Sequence, residues 1–213
     1  MNRYPLLAYI ALFSIILPIG VGISRIKILQ RGMYTLFFYL IFALAADIYL
    51  LWFAIGYQFA LGLHHVYFLV EYIFIMSIIT AWQESLKMKT VFQTLILIYI
   101  LFWIIAKATF EPLNGLYSFV AGTSQLLLLV GAEITLFIII RDRMQPIINH
   151  DRFWVLLSFV IYYTGTLLII ISRGILLHYS ISILFLVASI DWSLKILFNI
   201  LFAVGFLCPQ TKT

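Results

Sequence analysis

Long apolar runs alternate with short polar breaks along the whole chain. Seven of these runs come close to the ~20 residues that a helix needs to cross a bilayer. They cover roughly Tyr4 to Ile23, Met33 to Ile55, His64 to Trp82, Val91 to Ala106, Ser118 to Ile140, Phe153 to Ser172 and Ile181 to Leu207. The pattern predicts an all-α, polytopic seven-helix bundle forming one transmembrane domain over residues 1–213. Pro18 predicts a kink in the first span. Pro112, Asn114 and Gly115 mark a turn between the fourth and fifth spans. The uncharged stretch Gly56 to Leu63 reads as a loop.

Composition sharpens the class. Hydrophobic residues make up 65% of the chain and charged residues 10%. A soluble domain would carry about a quarter of its residues as charges, so lipid is the expected solvent. The loops are too short to hold a soluble domain. Tyr4 to Ile23 is long for the core of a cleaved signal peptide, and the small residues near its end are glycines, so a retained helix is expected. Cys208 is the single cysteine, which excludes a disulfide framework within one chain.

The formal charge of +5 sits mostly in the loops, where it is a topology signal rather than a nucleic-acid footprint. Arg25, Lys27, Arg31, Lys87, Lys89, Arg141, Arg143, Arg152 and Lys212 fall on one side, against Arg3, Lys107 and Arg173 on the other. The positive-inside rule then puts the amino terminus outside and the carboxyl terminus in the cytoplasm, in a multi-pass protein of the plasma (inner) membrane. Trp52, Trp82, Trp103 and Trp154 fall near span ends, as an interfacial aromatic belt requires. Trp192 lies in mid-span beside Asp191.

Polar groups inside the spans are the candidate chemistry. In the last span Asp191, Lys195 and Asn199 recur at i, i+4 and i+8, forming one stripe on one helix face. At about 1.5 Å per residue, Asp47, Glu71 and Gln125 lie about 10–12 Å from the outer helix ends. Asp191 and Tyr163 lie near about 15 Å and Lys195 near about 21 Å, with Glu133 closer to the cytoplasm. Interhelical hydrogen bonding at roughly 0.6–2 kcal/mol each is the structural reading of such groups, and it suits Gln125, Tyr162, Tyr163, Thr164 and Asn199. Asp47, Glu71 and Asp191 with the single base Lys195 leave net negative charge, which calls for protons, a cation or a cationic ligand. The expected ligand or ion pocket is therefore Asp47, His65, Glu71, Gln125, Tyr163, Asp191, Trp192 and Lys195.

Other chemistries find little support. His64 and His65 sit at the outer mouth of the third span and His178 is also external, but no HxxxH or HExxH spacing occurs and no metal site is expected. His150 is cytoplasmic and expected to be solvated. There is no GxSxG, no phosphate-binding glycine loop and no base beside Cys208, so no catalytic residue is assigned. A repeat of the first three spans in the last three is not visible, which argues against a small carrier. The expected function is a membrane sensor or ligand-binding protein, more an interaction protein than an enzyme. Its signal would pass to a membrane or cytoplasmic partner chain, and a homo-oligomer is compatible. An intramembrane enzyme or small transporter is the further alternative.

Two resemblances bear on this reading. Asp191-Trp-Ser-Leu-Lys195-Ile-Leu-Phe resembles the last helix of microbial rhodopsins, where DxxxK supplies a counterion and the retinal-bearing lysine. That resemblance implies Lys195 as a Schiff base to retinal, Asp191 as a counterion and Glu71 as a second one. The third and sixth spans depart from it. The rhodopsin third helix reads approximately RYxDWxxTxP, whereas this chain has His65-Val-Tyr-Phe-Leu-Val-Glu71-Tyr-Ile-Phe, and a WxxYP motif is missing from the sixth. A second resemblance covers most of the chain. Asp47, His65-Val-Tyr67-Phe-Leu-Val-Glu71, Phe110 to Asn114, and Phe153-Trp154 with Tyr162, Tyr163 and Gly165 are similar to a widespread group of small, poorly characterised bacterial seven-helix membrane proteins. Membership implies the seven-helix fold and no particular activity or cofactor.

Overall fold

A computed structural model describes residues 5–53, 57–113, 119–141, 147–176 and 181–209, without the side chains of 50–53, 57–61, 171–176, 181, 182 and 184. Arg3, Asn114, Gly115, Arg143, His178 and Lys212 lie outside the described residues, as do the side chains of Trp52, Arg173 and Ser182. The described chain is helical almost throughout: α1 Leu6–Ser14, α2 Ile16–Ser24, α3 Arg31–Phe53, α4 Tyr57–Ala81, α5 Leu86–Thr109, α6 Phe119–Arg141, α7 Asp151–Leu176 and α8 Ile181–Leu207. Taking α1 and α2 as one span, seven helical segments among the described residues are long and apolar enough to cross a membrane. The protein is thus an all-α membrane protein.

The helices run past their apolar runs. α4 begins at Tyr57, so most of the stretch expected as a loop is helix. α5 begins at Leu86 and continues through Lys107 to Thr109. Near lipid, backbone N–H and C=O groups are most cheaply satisfied within a helix, so helix persists wherever proline and loop chemistry are absent. The first span does the opposite and breaks at Ile15. Pro18 has no N–H for the Ser14 carbonyl four residues back, and its ring crowds that carbonyl.

Packing divides the chain into two compact units, Met1–Gln30 with Ala132–Thr213, and Arg31–Gly131. In the first, α8 packs on α7, α1 and α2. Its core is aromatic: Phe159 meets Phe202 edge-on at 5.5 Å, and Tyr162 stacks on Phe198 at 4.4 Å. The α7–α8 seam closes at two glycines. Leu194 fills the space a side chain on Gly165 would need, and a Cβ on Gly205 would lie 2.8 Å from Val155 Cγ2 and 3.2 Å from the Asp151 carbonyl.

In the second unit, α4 packs between α3 and α5. Met33, Leu36 and Leu40 of α3 and Tyr72, Ile75, Met76, Ile78 and Ile79 of α4 are fully buried. Gly131 of α6 meets Met76, Ile79 and Phe92. Trp82, just past the end of α4, is buried against Gly32 and anchors the α3–α4 contact.

Candidate functional site

The second unit holds Asp47, His65, Glu71 and Gln125, and the first holds Tyr163, Asp191, Trp192 and Lys195. In the second unit, α4 presents His65, Tyr67 and Glu71 within two helical turns. Glu71 is buried and accepts a hydrogen bond from the buried Tyr39 hydroxyl of α3 at 2.9 Å. Tyr67 lies in the field of both Glu71 and the half-buried Asp47. Phe42 stacks on Tyr67 at 6.1 Å and on Phe74 at 5.9 Å. Tyr39, Ala43 and Asp47 recur every fourth residue, so one face of α3 brings the phenol and the second carboxylate to α4. Two acids and two tyrosines thus share one α3–α4 contact, lined by aromatic rings.

His65 makes a second set of contacts. Its Nδ1 lies 3.0 Å from Lys107 Nζ, and Lys107 also pairs with Glu111 Oε1. The second oxygen of Glu111 accepts the Val120 backbone N–H at 3.1 Å, in the first turn of α6. Tyr99 donates to the Val120 carbonyl at 3.1 Å and packs against Tyr72 with ring centroids 4.0 Å apart. The three charged or basic side chains are nearly dry, with exposures of 5% for His65, 7% for Lys107 and 8% for Glu111. Sequence reasoning missed Lys107 and Glu111 because the apolar run ends at Ala106. The available signal was their i, i+4 spacing. Gln125 is buried, and its Oε1 has no hydrogen-bond partner among the described residues.

On the first unit the polar stripe of α8 divides by role. Asn199 is buried and donates to Ser14 Oγ at 2.7 Å, at the break between α1 and α2. Asp191, Trp192 and Lys195 are half-buried, and Asp191 and Lys195 both have interaction partners. Tyr163 is fully buried among Phe159, Tyr162 and Phe198. Along α6, Glu133 is exposed on the same stripe as Ile134, Phe137 and Ile140.

His150, expected to be solvated, is buried instead. Its Nδ1 accepts the Arg152 backbone N–H at 3.2 Å and lies 3.2 Å from Asp151 Oδ1, while Nε2 has no partner among the described residues. Arg25 reaches the Cys208 carbonyl at 3.3 Å. Burial pushes the Cys208 thiol above its ordinary range, and the Asp151 charge adds to this against the pull of Arg25. The thiol therefore stays protonated near neutrality and is a poor nucleophile. Ser158, Ser189 and Ser193 donate to carbonyls of their own helices. Among the described residues no group of three or more histidine, cysteine or acidic side chains could hold a metal ion.

These features define a helical membrane protein with an acid and tyrosine cluster at one interhelical contact and a buried ionic triad at another. Comparisons with family models, curated proteins and solved structures find no match.

Proposed function

We propose that this is a multi-pass protein of the bacterial plasma (inner) membrane that binds a small cationic ligand in the second unit and relays binding to a partner chain, without catalysing a reaction. The chain belongs, on this reading, with the small bacterial seven-helix proteins it resembles. Its amino terminus lies outside and its carboxyl terminus in the cytoplasm, since nine loop and tail cations fall on one side against three on the other.

The observation that carries the reading is Glu71: a carboxylate buried in mid-span, bonded by Tyr39, and acting with Asp47 on the same Tyr67. Acids at membrane depth are costly unless compensated, and they mark ion or ligand sites by default. Two carboxylates acting on one tyrosine give this contact a negative field, which suits a bound cation or protons. The aromatic rings of Phe42, Tyr67 and Phe74 favour an organic cation over a hydrated inorganic one. Relay to a partner or a second copy is supported by Glu133, whose carboxyl stands on an otherwise apolar exposed stripe of α6.

The test is thermal unfolding of the purified protein in detergent against a panel of small amines, quaternary ammonium compounds and inorganic cations. One organic class is expected to raise the midpoint. Glu71→Gln is expected to weaken that binding by about 10–100-fold, the loss of one hydrogen bond to a charged group. Undiminished affinity of Glu71→Gln for every stabilising compound would overturn the assignment. A visible absorption band on adding all-trans-retinal, lost in Lys195→Ala, would replace it with the rhodopsin-like reading.

A further inference from the structure

We infer that His65, Lys107 and Glu111 form a proton-operated latch on the start of α6, closed while the imidazole is neutral and released when it takes up a proton. The inference is independent of any ligand and goes beyond the function proposed above.

An ammonium group only donates hydrogen bonds. Its 3.0 Å approach to His65 Nδ1 therefore requires a lone pair there, which fixes the ring as neutral with its proton on Nε2. Lys107 bridges that nitrogen and Glu111 Oε1. Glu111 in turn ties two elements together. Its backbone N–H bonds the Ala106 carbonyl at 2.9 Å, while its Oε2 holds the Val120 N–H of α6. A single carboxylate thus joins the end of α5 to the start of α6, and the lysine links it to α4.

Protonating Nδ1 sets N–H against ammonium, two donors and two like charges 3.0 Å apart in a site with little water. Glu111 Oε1, already 3.8 Å from Nδ1, can accept from the new imidazolium. Histidine and lysine then compete for one oxygen. Lys107 lies two residues from the end of α5, and its long stem lets the ammonium turn to the membrane surface. Drawing Glu111 toward α4 takes its second oxygen away from Val120. The other titratable groups around the triad are Tyr99 of α5, in the field of Glu111, and His64 and Tyr67 of α4. From α3 come Tyr39 and Asp47, which act on Tyr67.

The latch is complete while the imidazole is neutral and is lost as pH falls and the ring takes up a proton. With the proposed orientation it responds to the pH outside the cell.

Hydrogen–deuterium exchange of the full chain in lipid nanodiscs, corrected for intrinsic rates, tests this at the Val120 amide. Wild type is expected to lose protection there between pH 7.5 and 5. His65→Gln keeps an acceptor for Lys107 but cannot be protonated, so its protection is expected to hold over the same range. Loss of protection in His65→Gln equal to wild type, or undiminished protection in wild type at pH 5, would sink the proposal. A second readout needs no folded His65 variant, because Lys107 Nζ lies 6.0 Å from the Trp103 ring centroid. Its departure is expected to change indole emission with pH in wild type, and the change is absent from Trp103→Phe. A flat difference between the two overturns the latch.

Discussion

At the scale of single residues, Asn199 shows what a polar group inside a span does when it is structural. Its amide donates to Ser14 Oγ, and Ser14 itself donates to the Ala11 carbonyl at 2.7 Å. The bond holds α8 against the break between α1 and α2, where the helix ladder is already weakened by Pro18. Asn199→Ala is expected to cost about 0.6–1.7 kcal/mol, the range measured for interhelical hydrogen bonds in membrane proteins. Reversible unfolding by SDS in mixed micelles measures it, and an unchanged midpoint would mean that the bond contributes nothing. Residue character was legible in the sequence here, because an asparagine in an apolar run has to find a partner. The identity of the partner was not legible. His65 and Glu71 were both expected in one pocket; in the structure His65 meets Lys107 and Glu111, and Glu71 meets Tyr39. His150 read as solvated by its place in a charged loop, and is buried.

At the scale of elements, the α7–α8 seam depends on absent side chains. Gly205 lies against a β-branched side chain and a backbone carbonyl, neither of which yields easily: Val155 has few rotamers, and the Asp151 carbonyl is fixed by the start of α7. Gly205→Ala is expected to destabilise the protein by about 1–3 kcal/mol despite the better helix propensity of alanine. Val155→Ala in the same chain should recover part of that loss, as contacting sites do not add. Equal stability of Gly205→Ala and wild type in the same SDS assay would show that the seam has slack. Element identity followed from apolar run length. Element ends did not, because helix outlasts hydrophobicity at the membrane surface: α5 carries Lys107 into the ionic triad, where the sequence alone suggested a connecting loop.

At the scale of the whole molecule, orientation is the property to test. In a Cys208→Ser background, cysteine at the exposed Leu113 should react with an impermeant thiol reagent added to intact cells, and cysteine at the exposed Lys87 should not. Reversed labelling would invert the topology and turn the His65 latch toward the cytoplasm. The sequence by itself determined the helical class and the seven spans, and it marked the polar positions inside them. Those properties depend on hydrophobicity and on helical period, both local. The tertiary structure decided which groups meet: Tyr39 with Glu71, Lys107 with His65 and Glu111, Asn199 with Ser14, Trp82 with Gly32. Helical period fixes the face a residue occupies, but the neighbour on that face comes from packing between segments far apart in the chain. In lipid that packing is set by small residues and polar contacts rather than by hydrophobic contrast.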